Sequence, residues 1–274
     1  MQTNGSNGRS SNRFSLGRFV DQLQASGRYT FTRDEVLAAC GCSKSAVRSA
    51  AARLERQGRL ASPRRGFFVV VPLEYRSAGA PPPAWHVDAL MKYHGRPYYV
   101  GLLTAASLHG AAHQQAQEFQ ILTDRPLRPA RSGRVLLRFL HKRRTIQTPT
   151  VQVRVETGSM PVSSPEATAL DLARYIRPAG GIGNVVTVLA ELSEKIDPEL
   201  LVEAAISGSP VAAAQRTGLL LDHVGAGRTT ELLAKWIATR NPRTIPLRAD
   251  RNAKDCPRNR RWRVVVNERL EPDV

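Results

Sequence analysis

The chain has 274 residues, room for one large domain or two ordinary ones. Forty Lys and Arg against 23 Asp and Glu give a net charge of +17, a surplus that points to a negatively charged partner, nucleic acid first among them. No apolar run reaches the ~20 residues that cross a bilayer. The polar opening MQTNGSNGRSSNRF has no signal core, and three cysteines, Cys40, Cys42 and Cys256, make no disulfide framework. A reducing, cytoplasmic setting without membrane contact is therefore expected.

Residues 1–12 are rich in Gly, Ser and Asn and are expected to be disordered. From 14 to 23, Phe14, Leu16, Phe19, Val20 and Leu23 follow a helical period. Thr32 then offers an N-cap, with Glu35 three positions on to complete a capping box, and that helix must stop near Gly41. Ser43 caps the next helix, which runs to about Gln57 and closes at Gly58 in the left-handed conformation. Two strands, 60–61 and 67–71, flank the turn Ser62-Pro63-Arg64-Arg65-Gly66. Helices followed by a hairpin in this order predict a winged helix-turn-helix over residues 13–72.

On the helix after Ser43, Val47, Ala50, Ala51 and Leu54 share one face and turn inward. Lys44, Ser45, Arg48 and Ser49 then occupy the outer face of its first turns, from which a recognition helix reads base edges. Arg64 and Arg65 are expected at the hairpin tip, placed for a phosphate or the minor groove, and Arg13 and Arg18 on the first helix for backbone contacts. These eight residues are the predicted interface with double-stranded DNA.

Residues 73–84, with Pro81-Pro82-Pro83, read as a stiff linker, and a second domain is expected over 85–274. Helical patterns cover about 85–93 and 101–109, and strand-like runs cover 118–123, 134–140 and 151–156. Ser164-Pro165-Glu166 opens another helix, although Ser163 with Glu166 would make an equally legal capping box. Helical segments follow near 184–194, 198–206, 211–224 and 229–239. The basic tail from Asn241 ends in a strand-like run, 262–266: alternating Trp262, Val264 and Val266 fit an ordinary strand with the neighbouring arginines facing water, while Arg258, Arg260, Arg261 and Arg263 could instead meet RNA, DNA backbone or a partner protein. The fold class is thus α+β: a winged helix-turn-helix, then a mixed domain with a small β-sheet and a helical C-terminal half.

Catalytic signals are faint. His109 and His113 stand four apart, but Gly110 weakens that helix and no HExxH pattern accompanies them. Asp124 and Glu156 at strand ends suggest nuclease carboxylates, yet the lysine expected two residues after Glu156 is missing. There is no Walker loop, no dinucleotide fingerprint and no nucleophile elbow. No catalytic residue, metal or cofactor is expected.

Four stretches carry a resemblance. PYYVGLLTAASLHG at 97–110, EFQILT at 118–123, SSPEATALDL at 163–172 and AQRTGLLLDHVG at 214–225 resemble, in order, motifs of the AbiEi family of antitoxins. The resemblance implies a type IV toxin–antitoxin component of an abortive-infection, phage-defence system. Such a protein represses its own operon by binding repeated promoter sites, and opposes a nucleotidyltransferase-like toxin without a stable complex. Carried to this chain, the DNA contacts fall on Lys44, Ser45, Arg48 and Ser49, with Arg64 and Arg65 in the wing. Two alternatives stand beside this expectation: a free-standing regulator whose larger domain senses a ligand or oligomerises, and a metal-dependent nucleic-acid enzyme using Asp124 and Glu156.

Overall fold

The computed structural model describes residues 15–111 and 118–271. Arg13 and His113 lie outside them. The chain divides into two compact units, one of residues up to His86 with 132–134, the other of 87–131 with 135 onward.

The first unit begins with α1 (Leu16–Ala25), whose Leu16, Val20 and Leu23 are buried. Next come β1 (Thr30–Thr32) and α2 (Arg33–Cys40). The capping box forms as the sequence demands: Glu35 N–H donates to Thr32 Oγ1 at 3.2 Å, and Thr32 N–H to Glu35 Oε2 at 2.6 Å. Gly41, at φ 62°, ends α2. Ser43 Oγ accepts from Ala46 N–H at 3.2 Å and starts α3 (Lys44–Arg56).

Strands β2 (Leu60–Arg64) and β3 (Phe67–Val70) form the hairpin, and β1 adds to it in the order β1-β3-β2. The hairpin corrects one expectation. The turn is Arg65-Gly66 alone, and Arg64 is the last residue of β2, paired with Phe67. A register shift between Ala61 and Arg64 accommodates Pro63, which has no N–H for a ladder. Phe31 of β1 stacks on Phe68 at 5.1 Å and meets Phe19 edge-on at 5.5 Å, so the hairpin is nailed to the helices through an aromatic core.

Residues 73–84 are more structured than a linker reading suggests. They carry 3-10 turns at Leu73–Tyr75 and Pro83–Trp85, and Trp85 packs on Tyr29 and Tyr75 at 5.0 and 5.2 Å. The sequence shows only prolines here because aromatic partners so far apart leave no local period.

From Val87 the chain forms α4 (Val87–His94), β4 (Tyr98–Val100), α5 (Leu102–Leu108), β5 (Glu118–Thr123), β6 (Ala130–Ser132), β7 (Val135–His141), β8 (Thr150–Val155) and β9 (Gly158–Ser163). Its six-stranded sheet runs β6-β7-β5-β4-β9-β8 and is mixed, with β5·β7 and β4·β9 parallel. Helices α6 (Pro165–Arg174), α7 (Ile182–Leu192), α8 (Pro198–Gly208), α9 (Val211–His223) and α10 (Glu231–Arg240) follow. Ser164, not Ser163, caps α6, accepting from Ala167 N–H at 3.3 Å; Ser163 Oγ instead meets Thr168 Oγ1 at 2.6 Å. Eight consecutive residues of α6, Glu166 to Ala173, are buried, which makes it the central helix of the second unit.

The tail forms a small sheet of β10 (Ile245–Pro246), β11 (Arg258–Asn259) and β12 (Val264–Val265). Trp262 is not a strand residue. It is fully buried ahead of β12, and its Nε1 donates to Asp222 at 2.7 Å. Arg263, at φ 52°, sends its guanidinium to the Pro242 carbonyl rather than to solvent.

Candidate nucleic-acid interface

The apolar face of α3 fixes the direction of its polar face. Val47, Ala51 and Leu54 are buried, and Ala50 is half-buried, so Lys44, Ser45, Arg48 and Ser49 are exposed on the first turns. The hairpin is folded back beside them by one backbone contact: Arg33 N–H, at the start of α2, donates to the Gly66 carbonyl at 2.8 Å. Gly66 has φ 83°, a turn conformation in which a side chain would be strained.

Between α3 and the hairpin lies a cleft of about 340 Å³. Lys44, Ser45 and Arg48 line it from α3, and Arg65 from the turn. The structure thus brings four of the eight predicted residues together. Ser49 is exposed on α3 but outside the cleft, Arg64 is half-buried in β2, and Arg18 is exposed on α1. Ser43 Oγ and Ser45 Oγ are 2.9 Å apart, which ties the Ser45 side chain to the helix start.

Two lining residues have no signal in the sequence. Arg33 enters through its N-terminal place on α2, half-buried and 3.5 Å from Asp34. Glu55, two turns after Arg48, is the one carboxylate among the lining residues, and burial raises its pKa. Four cations around one acid leave the cleft with a net positive lining.

The residues raised for other chemistry are placed differently. Asp124 pairs with Arg96 at 3.8 Å, and Glu156 lies exposed in the turn after β8. His109 Nε2 meets the Ser163 carbonyl oxygen at 2.7 Å. Among the described residues no three His, Cys, Asp or Glu side chains gather to hold a metal, and no helix is long and apolar enough to cross a membrane.

Helices α2 and α3, with the β2–β3 hairpin after them, define a helix-turn-helix protein of α+β fold. Comparison with known families places it further. Residues 18–71 match "Transcriptional regulator, AbiEi antitoxin" and residues 99–223 match "AbiEi antitoxin C-terminal domain". The chain belongs to the AbiEi antitoxin family, whose members are antitoxins and transcriptional regulators. Among solved structures, the fold is similar to that of the RV2827C protein from Mycobacterium tuberculosis, with a TM-score of 0.63 at 18% identity over 93% of each chain. No curated protein matches the chain.

Proposed function

We propose that the chain is the antitoxin and transcriptional autorepressor of a type IV toxin–antitoxin operon. Its first unit binds repeated sites in its own promoter, with α3 in the major groove and the hairpin turn beside it. Its second unit opposes a nucleotidyltransferase-like toxin without forming a stable complex, and the protein works in the cytoplasm. The observation that carries the DNA half is the convergence of Lys44, Ser45 and Arg48 with Arg65 on one cleft. An α-helix fits a major groove about 12 Å wide, and the small residues Ala46, Ser49 and Ala50 keep α3 slim. The toxin half rests on the family.

Fluorescence anisotropy of the full chain with the DNA upstream of its gene, against a scrambled duplex at two salt concentrations, tests the reading. A preference for the upstream DNA that persists at the higher salt is expected. Equal binding to both duplexes, collapsing with salt, would reduce the interface to charge alone. For the second unit, growth rescue of cells expressing the neighbouring toxin is expected from the chain and from a variant with the α3 cations removed.

A further inference from the structure

A second basic site lies wholly within the second unit. The segment joining β7 to β8 carries Arg143 and Arg144, and with Arg174 at the end of α6 they line a cavity of about 660 Å³. The wall is completed by Gly208, Ser209, Pro210 and Val211, where α8 gives way to α9. That volume is in the range of small-molecule sites, roughly 300–1,000 Å³.

The site is built rather than draped. Lys142 is buried and donates to Asp171 Oδ1 at 2.7 Å, while Tyr99 donates to Asp171 Oδ2 at 2.5 Å. Thr145 and Thr148 are buried under the same segment, their hydroxyls donating to the Lys142 and Arg144 carbonyls at 2.5 and 3.1 Å. Tyr175 O–H donates to the His141 carbonyl at 2.6 Å, which ties the end of α6 to the end of β7. A Cβ on Gly208 would sit 3.1 Å from the Thr148 backbone, so the α8–α9 turn is pressed onto this segment. Three separate elements are thereby fixed around one concavity.

Its charge is uncompensated. Lys142 and Asp171 neutralise each other, Arg174 lies over the Tyr175 ring at 5.0 Å, and among the described residues none of the three guanidiniums pairs with a carboxylate. Helix α9 presents its positive end at Pro210–Val211 without a side-chain cap. Guanidiniums without carboxylate partners and an uncapped helix start around a fixed hollow are the donor set that grips a phosphoryl dianion. Among the described residues no aromatic side chain lines the cavity to stack a base, which disfavours a tracked nucleic-acid strand.

We infer that Arg143, Arg144 and Arg174, with the N-terminus of α9, form a binding site for a small phosphorylated molecule, its phosphoryl group being the part recognised. This gives the second unit a ligand of its own, independent of the promoter-binding reading.

The test is calorimetric titration of the full chain with pyrophosphate, with adenosine 5′-diphosphate, and with a 12-nucleotide RNA bearing or lacking a 5′-phosphate. Binding of the first two is expected, weakened about tenfold by Arg174→Gln and by Arg143→Gln with Arg144→Gln, and unchanged by Arg48→Gln with Arg65→Gln. Arg143 and Arg144 are exposed, so their double variant should melt with the parent and keep the result readable if Arg174→Gln unfolds. Three outcomes overturn the inference: no pyrophosphate binding, binding that follows the α3 cations instead, or tighter binding of the unphosphorylated RNA than of pyrophosphate. The last would make the cavity part of a strand-binding surface. None of these touches the promoter reading, which anisotropy tests separately.

Discussion

Trp262 lies flat against Gly218: a Cβ built on that glycine would stand 2.2 Å from the indole. Gly218 is therefore required in the middle of α9 despite the helix propensity it sacrifices. The indole is held in place from its other edge by the Nε1 bond to Asp222, and Arg261 lies over its face at 5.2 Å. Asp222 also accepts from Thr230 Oγ1 at 2.6 Å, so one carboxylate joins α9, the start of α10 and the tail. Gly218→Ala must expel the ring or bend the helix, and overpacking of this kind costs typically about 1–3 kcal/mol. Urea unfolding should show that loss, with tail tryptophan fluorescence shifted to the red. An unchanged midpoint would mean that the tail docks elsewhere.

On the proposed promoter-binding reading, the cleft separates into a reading part and a gripping part. Arg48→Ala removes a candidate base contact worth ~1–3 kcal/mol, so it should weaken upstream DNA more than scrambled DNA. Arg65→Ala should weaken both equally and reduce the slope of log affinity against log salt by about one. Arg64→Ala is expected to do less than Arg65→Ala, because Arg64 is in the strand rather than the turn. If Arg48→Ala weakened both duplexes alike, its role would be phosphate contact, and the sequence reading would shift to Lys44 and Ser45.

Much of the first unit was legible because its signals are local. Thr32 with Glu35, Ser43, Gly41 and Gly58 each declare a helix end within four residues, and the period of Val47, Ala51 and Leu54 orients α3. What could not be read depends on distant partners. The three-residue strands β1 and β4 have no alternation to detect, and β9 contains Pro161 and opens on Gly158. Its place is set by pairing with β8 and with Val100. Arg33 joins the cleft through the hairpin, its N–H bonded to the Gly66 carbonyl, a contact between residues 33 positions apart. The buried Tyr99–Asp171–Lys142 set joins residues 72 and 29 positions apart, and in the sequence Lys142 reads as one more member of a basic run.

Glu55 supplies a test of how the cleft discriminates. Its charge faces the same space as Arg33, Lys44, Arg48 and Arg65 and opposes any phosphate that enters. Glu55→Gln should tighten scrambled DNA severalfold and upstream DNA less, narrowing the preference between them. Because burial raises its pKa, mild acidification neutralises Glu55 ahead of ordinary surface carboxylates. The parent chain should therefore bind random DNA more tightly as pH falls, a response that Glu55→Gln removes. Identical pH profiles for parent and variant would show that Glu55 stands clear of the bound duplex.

The first unit has a built-in acid sensitivity at His86. The ring is fully buried, Nε2 lies 2.9 Å from Ser132 Oγ, and among the described residues Nδ1 has no hydrogen-bond partner. Burial pushes its pKa down to about 4 from an ordinary value near 6.5. Between those values the unfolded chain binds a proton that the folded chain refuses, so stability rises with pH across that window and is lost as pH falls through it. At pH 5 the loss relative to pH 7.5 is about 2 kcal/mol. Urea unfolding at both pH values should show this drop in the parent chain, and His86→Gln, which keeps a polar partner for Ser132, should flatten it. Equal slopes in the two chains would mean that the buried imidazole accepts its proton as readily as one in water.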